Sequence, residues 1–361
     1  MQRDRPRLTI GIVGLGTHGT NHAQILTALG HEVTGADADP SIRAEFEERF
    51  ETETYERPAD LFETAIDAVI ISTPNKFHET VATAAFEAGH DVLLEKPLAH
   101  TVESAERIVE AAEASGQICM VGFHHRFRNP VRILKEYLDE GYFGELTHIQ
   151  AKFIRRRGVP GRGTWYTSSE FAGGGALMDV GGHLLDLLLY FCDWPAIEDV
   201  IATSRSEFGP REDYAYLEMW GEDGEAKMYD VEDSVNAFLE FDDGTTADVE
   251  VAWAVNAESV HTYDLRGTAA GASLDITNTL TEVDPWVDQR QDLTLYEVRG
   301  GEVDHYVDSS IVARHNDPYE DELQTFLDAV VSGTRPDQTN VHQAMAVQRA
   351  VTEIYAAAQR R

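Results

Sequence analysis

The chain has 361 residues, with 64 Asp and Glu against 29 Lys and Arg, a net charge of -35 and a hydrophobic fraction of 42%. That length suits two domains of ordinary size, and the apolar fraction is ample for packed cores, which excludes a disordered or low-complexity chain. The charge excludes nucleic acid and anionic membranes as partners: phosphate binding needs a basic patch, and the only basic cluster, Arg155-Arg156-Arg157, is too short.

Residues 8–13 form a continuous apolar run ending at Gly14, the pattern of a buried parallel strand, and a helix over 18–29 follows and stops at Gly30. A second strand is predicted at 31–37 and a helix at 40–50, with Pro40 in its first turn. A third strand at 67–73 ends at Pro74, a helix at 75–88 is closed by Gly89, a fourth strand covers 91–95, a helix at 101–115 is closed by Gly116, and a fifth strand covers 117–121. Strands alternating with helices in this way give a doubly wound parallel sheet of α/β class.

After about residue 125 the rhythm changes. A helix at 131–139 and an alternating strand at 146–154 lead through a loop rich in Gly and Arg to an apolar helix at 184–194. Alternating segments at 235–241, 246–254 and 260–265, with turn signals such as Asp243-Gly244, predict a large, mainly antiparallel open sheet with one covered face. Helices at 318–332 and 341–358 close the chain. The expected organisation is a nucleotide-binding domain over 1–126 and an α+β domain for substrate binding and oligomerisation over 127–361, its last helices free to pack back on the first domain.

The run Gly14-Leu15-Gly16-Thr17-His18-Gly19 lies between the first strand and the first helix. Glycines there permit a tight turn and close backbone approach, and the helix N-terminus offers free N–H groups to a pyrophosphate. Asp37 ends the second strand. A carboxylate at that place accepts from ribose hydroxyls and repels a 2′-phosphate, so NAD is favoured over NADP. Asp39 adds to the repulsion, and Arg43 is the counter-argument that keeps NADP open.

Two further places carry chemistry. Lys96 follows an apolar strand and precedes Pro97, which biases it out of the helical region at the carboxyl edge of the sheet, where ligands of such sheets bind. The bland alternative is a lysine that pairs with Glu95. Asp179 and His183 are four residues apart where Gly173-Gly174-Gly175 gives way to the apolar helix, so they share a face near its N-terminus. The helix dipole there disfavours imidazolium and keeps His183 available as a base. Gly181 and Gly182 leave space for a ligand. Two ligands at this spacing are thin support for a metal, and none is expected. Taken alone, Asp179 and His183 would more often be a structural cap plus a satisfied histidine. The loop holding Arg155, Arg156, Arg157, Arg162, Trp165 and Tyr166 precedes them. Arginines beside aromatics suit a polyhydroxylated ring, a carboxylate or a phosphate, or else simply pair with surface acids. His124 and Trp165 are the further pocket candidates.

Taken together, the Gly-rich turn, Ser72-Thr73-Pro74-Asn75 with His78, Glu95-Lys96-Pro97, the stretch Gly122-Phe123-His124-His125-Arg126-Phe127, and Asp179 with Gly181 and His183 strongly resemble the Gfo/Idh/MocA oxidoreductases, over nearly the whole chain. The resemblance implies an N-terminal Rossmann domain in which Ser72, Thr73, Pro74, Asn75 and His78 line the cofactor's path. It places Glu95 and Lys96 at the nicotinamide end, with Lys96, Asp179 and His183 catalytic. His125 stands where many members carry Asn. The resemblance also implies dimers or tetramers through the open sheet, and a sugar, cyclitol or sugar derivative as substrate. NAD-dependent glycosidases, non-catalytic NAD-binding regulators and reductases of imine-like substrates share the pattern.

The dispersed acids, with only Lys76, Lys96, Lys135, Lys152 and Lys227 as lysines, suit a cytoplasm of very high salt, so a halophilic source is expected. Cys119 and Cys192 lie in apolar stretches and read as buried free thiols of a reducing compartment. Met1-Gln2-Arg3 leads straight towards a core strand, unlike a signal peptide, and the apolar helix, interrupted by Asp186, is too short to span a bilayer.

Overall fold

The computed structural model describes residues 6–217, 223, 229–277 and 292–360. The reading of Met1-Gln2-Arg3, and Lys227, lie outside them. The chain divides into two compact units, Met1–His124 with Pro318–Gln348, and His125–Asp317 with Arg349–Arg361. The first helix of the closing pair thus belongs to the first unit, and the second helix is shared between the units.

In the first unit, β1 (Thr9–Val13), β2 (Glu32–Ala36), β3 (Thr54–Tyr55), β4 (Ala68–Ile71), β5 (Asp91–Leu94) and β6 (Cys119–Val121) form one parallel sheet in the order β3-β2-β1-β4-β5-β6. Ile10 faces Val33 on one side and Ala68 on the other. The strands read as apolar runs because both faces are covered: Ile10, Ile12, Val69, Ile70, Ile71, Val92 and Leu94 have no solvent exposure. Helices α1 (Thr17–Ala28), α2 (Pro40–Phe50), α3 (Pro58–Phe62), α4 (His78–Glu87) and α5 (Val102–Ser115) connect them. The two-residue β3 and the five-residue α3 carry too short a pattern to be seen in the sequence. The predicted helix from residue 75 begins as a 3-10 turn, Asn75–Phe77, before α4.

The second unit opens with α6 (Asn129–Asp139) and β7 (Leu146–Ile154), then the short α7 (Ser169–Ala172) and α8 (Gly182–Phe191). Strands β8 (Ile197–Arg205), β9 (Ser234–Phe241), β10 (Thr246–Ala252), β11 (Val260–Gly267), β12 (Ala270–Asp275), β13 (Leu293–Arg299) and β14 (His305–Ile311) complete an eight-stranded sheet with β7, ordered β14-β13-β12-β11-β7-β10-β9-β8. Only the β7–β10 pair is parallel. β9 shows the one-sided burial of such a sheet: Val235, Leu239 and Phe241 point inward while Asn236, Phe238 and Glu240 point out. Ile149, Ala151, Tyr263 and Leu265 form the covered face, and α8 lies against β7 with Leu184, Leu185, Leu187 and Leu188 fully buried.

Two expectations need correcting. The apolar helix ends at Phe191, not 194, because Asp193 and Trp194 take left-handed backbone conformations. It also starts earlier, running without a break out of a turn of π-helix, Leu177–Gly181. The chain ends with α9 (Pro318–Ser332), which packs against α1, and α10 (Val341–Gln359).

Candidate functional site

The Gly-rich turn is held by steric necessity. Gly14 has φ +90°, and a Cβ there would come within 2.8 Å of the Ser72 carbonyl group; one on Gly19 would sit 2.0 Å from the Gly14 oxygen. Ser72 locks the turn from the neighbouring strand, its Oγ donating to the Gly14 carbonyl at 2.7 Å. Gly16 behaves differently: nothing lies within 4 Å of its Cβ position, and α1 starts there with no side-chain hydrogen bond capping its first turn. An open glycine at an uncapped helix N-terminus fits a dinucleotide pyrophosphate.

Asp37 is fixed by the same turn. Its Oδ2 accepts the Leu15 N–H and its Oδ1 the Asp39 N–H, both at 2.9 Å. Asp39 caps α2 through Ser41, and those hydrogen bonds hold its carboxyl below the usual range. Arg43, the residue that could have welcomed a 2′-phosphate, donates to the backbone carbonyls of Asp37 and Ala38.

His78, fully buried, has Nδ1 at 2.9 Å from the Pro97 carbonyl oxygen and Nε2 at 2.9 Å from that of Thr73. It therefore braces the Thr73-Pro74-Asn75 turn against the turn that carries Lys96, whose bond to Pro97 is cis. Burial pushes its imidazole pKa down. The Glu95 carboxylate has a partner that the sequence reading missed: His22 of α1, with Nε2 at 2.8 Å from it. Burial pushes the Glu95 carboxyl up, but the His22 hydrogen bond and the charges of His18, His22 and His124 outweigh it and hold it far below the carboxylate range. His124, buried, stacks on Tyr319 of α9 at 4.0 Å. His22 and Tyr319 have no sequence signal beyond residue type, since their partners lie 73 and 195 positions away.

In the second unit, Asp179 sits in the π-turn and its Oδ2 accepts the Trp253 indole N–H at 2.9 Å. Single π-turns inside helices are rare and concentrate at functional positions. His183 follows in α8, only 6% exposed, with its ring 4.6 Å from that of His125. Arg128 donates to His125 Nδ1 at 2.8 Å, so that nitrogen accepts and the other carries the proton. His261 completes the group, 5.1 Å from His125 and stacked on Phe153 at 3.9 Å.

The helix N-terminus is not bare, as the dipole argument assumed. Glu232 reaches it from a distant segment, accepting the N–H groups of Gly175 and Leu177 at 2.9 Å each, while Tyr355 of α10 donates to the same carboxylate at 2.9 Å. Burial raises the Glu232 carboxyl despite these bonds. Gly182 faces open space, as expected. Gly181 does not: a Cβ there would meet Leu177 Cδ1 at 2.9 Å.

Arg126, within the stretch that carries the resemblance, is fully buried and forms a two-bond ion pair with Asp186 of α8, with its guanidinium over the Tyr190 and Trp194 rings. This explains the acid that interrupts the apolar helix. Trp165 stacks on Tyr166 at 3.8 Å and is half-buried. Both cysteines are free thiols; Cys119 is buried, Cys192 less so, and burial pushes each up to about 12.

Two family models match: "Oxidoreductase family, NAD-binding Rossmann fold" over residues 8–123, and "GFO/IDH/MocA C-terminal domain" over residues 131–273. A protein of Amycolatopsis mediterranei named as a UDP-kanosamine synthase oxidoreductase subunit is 36% identical over 248 residues, 68% of each chain. The chain belongs to the Gfo/Idh/MocA oxidoreductases. A D-glucoside 3-dehydrogenase of Escherichia coli is 35% identical over 210 residues, and the match spans 58% of each chain. The solved structure of levoglucosan dehydrogenase in complex with NADH superposes with a TM-score of 0.81 over 98% of both chains at 21% identity, which speaks for the fold. The first unit is thus an NAD-binding Rossmann domain with its Gly-rich turn at Gly14, Gly16 and Gly19, and the enzyme is an oxidoreductase. No helix among the described residues is long and apolar enough to cross a membrane.

Proposed function

We propose that the protein is an NAD-dependent dehydrogenase acting on a secondary hydroxyl of a sugar, cyclitol or sugar derivative, with Lys96, Asp179 and His183 as its catalytic residues. The observation that carries this reading is Asp179. The Trp253 indole fixes its carboxylate in a π-turn, one helical turn ahead of a buried histidine, an arrangement suited to holding and moving a proton. The names of the relatives, a D-glucoside 3-dehydrogenase and a levoglucosan dehydrogenase, support the substrate class.

In this mechanism His183 accepts the hydroxyl proton as the carbon–hydrogen bond breaks with its electron pair and the carbon–oxygen double bond forms. Lys96 donates a hydrogen bond to the same oxygen and steadies its developing negative charge. Asp179 orients the proton-carrying group and tunes its basicity. Bound NAD supplies the hydride acceptor. Gly14, Gly16, Thr17, His18 and Gly19 hold the pyrophosphate, and Asp37 the adenosine ribose, which favours NAD over NADP. Ser72, Thr73, Pro74, Asn75, His78, Glu95 and His125 shape the rest of the cofactor site, with His124 and Trp165 towards the substrate. The outward face of the second sheet, where Phe238 and Ile201 are 38% and 49% exposed, is the proposed contact of a homodimer or homotetramer. The high acid content supports a high-salt cytoplasm as its setting.

The test is a panel of sugars and inositols with NAD or NADP in molar KCl, read as absorbance of the reduced cofactor. Net reduction with at least one polyol is expected. Cleavage of glycosides without net reduction would overturn the reading in favour of a glycosidase.

A further inference from the structure

The segment that follows β7 carries four arginines, and three of them serve the fold. Arg156 donates to the Ala257 carbonyl, and Arg157 to the carbonyls of Arg156 and Val255 and to the Asn256 side chain. Arg162, buried, is bidentate to Asp223 and donates to the carbonyls of Gly209 and Arg211.

Arg155 is different. Its guanidinium lies over the Phe153 ring, 5.3 Å from the centroid, and among the described residues its side chain makes one hydrogen bond, a long one of 3.4 Å to the Gly158 carbonyl. No carboxylate among the described residues pairs with it, although the chain holds 64 acids against 29 bases. Among the described residues it has donors left over for a ligand.

The position is also built. The stem of Arg155 folds back over Gly158, where a Cβ would meet Arg155 Cδ at 2.6 Å. Backbone bonds from Arg155 N to the Ala252 carbonyl and from Gly158 N to the Trp253 carbonyl, 2.8 and 2.7 Å, fix the loop to the end of β10. Trp253 is the residue whose indole holds Asp179. From Phe153 a row of ring contacts passes through His261 and His125 to His183. The guanidinium is thus tied to both proposed catalytic side chains of this unit through shared neighbours.

We propose that Arg155 is a specificity-determining residue that binds an anionic group, a carboxylate or phosphate, on the sugar substrate. This rests on the dehydrogenase reading above and narrows it to acidic sugars. A guanidinium presents a planar fork that matches either anion, and such charge-assisted contacts are short-ranged. In molar salt the Debye length is about 3 Å, so the repulsive field of the net charge is screened while a direct contact survives.

The experiment is calorimetric titration of the full-length, NAD-loaded protein in molar KCl with D-glucuronate, D-glucose 6-phosphate and D-glucose, with kcat/KM measured for the same three. The wild type is expected to bind at least one acidic sugar about 10- to 100-fold more tightly than glucose. Arg155→Gln is expected to bring that ratio to within about twofold, Arg155→Lys to keep part of it, and Arg156→Gln to leave it unchanged. The acid that shows the larger ratio identifies the anion. A wild-type ratio near one, a ratio that survives Arg155→Gln, or no binding of any sugar would overturn the proposal. Reduction of NAD by neutral sugars without acid preference sinks only this inference. Acid preference without any reduction of NAD sinks the dehydrogenase reading and leaves the anion site standing.

Discussion

The carboxylate of Asp37 accepts the backbone N–H of Leu15 at 2.9 Å, joining the end of the second strand to the middle of the Gly-rich turn. The charge proposed to select the ribose is therefore positioned by the backbone of the Gly-rich turn itself. Asp37→Asn keeps an acceptor for Leu15 and removes the charge. It is expected to lower the NAD over NADP ratio of kcat/KM by about tenfold or more. A ratio unchanged from wild type would remove Asp37 from cofactor selection.

Glu95 and His22 form a buried pair whose carboxyl is held below its ordinary range. A depressed folded-state pKa contributes stability that is present above the unfolded value, about 4.3, and is lost as pH falls below it. Glu95→Gln is expected to cost about 1–3 kcal/mol near pH 7. That cost should shrink as pH falls below about 4.3, where the wild type weakens as well. Urea unfolding of both proteins at pH 7 and about pH 3 gives the comparison, and an equal difference at both values would contradict the assignment.

The buried Arg126–Asp186 pair illustrates what was legible and what was not. Asp186 was visible in the sequence as an acid interrupting an apolar helix, but its partner, 60 residues earlier, was not. The same holds for His22 with Glu95, Glu232 with the π-turn, and Trp253 with Asp179. Each is a tertiary contact with no local period to betray it. Apolar runs announced the parallel sheet because both its faces are covered. Strand β8 at one edge of the second sheet, with three of its nine residues charged, and the small-residue strand β12 carried too little alternation to be seen. The proposed catalytic group, Lys96, Asp179 and His183, drew attention because proline follows the first and glycines lie around the other two.

Removing one member of that buried pair strands the other. Arg126→Met is expected to destabilise the fold by about 3–5 kcal/mol, and the double variant Arg126→Met with Asp186→Leu to recover most of the loss. Urea midpoints measure this. A double variant as weak as the single one would mean that the arginine acts through its stacking on Tyr190 and Trp194 instead.

With a net charge of -35, the folded chain repels itself unless counterions screen it. Dialysis from molar KCl to dilute buffer is expected to abolish activity and lower the unfolding temperature, as followed by circular dichroism. Full stability at low salt would reject the high-salt setting.

In the proposed reaction the His183 imidazole takes the proton and the Lys96 ammonium steadies the oxygen while NAD takes the hydride. The most direct measurement is single-turnover formation of NADH by Lys96→Ala and His183→Ala, with NAD affinity measured alongside. The rate should fall by about 10²- to 10⁴-fold in each variant while NAD binding holds within a few-fold. A rate near that of the wild type in either variant would contradict it.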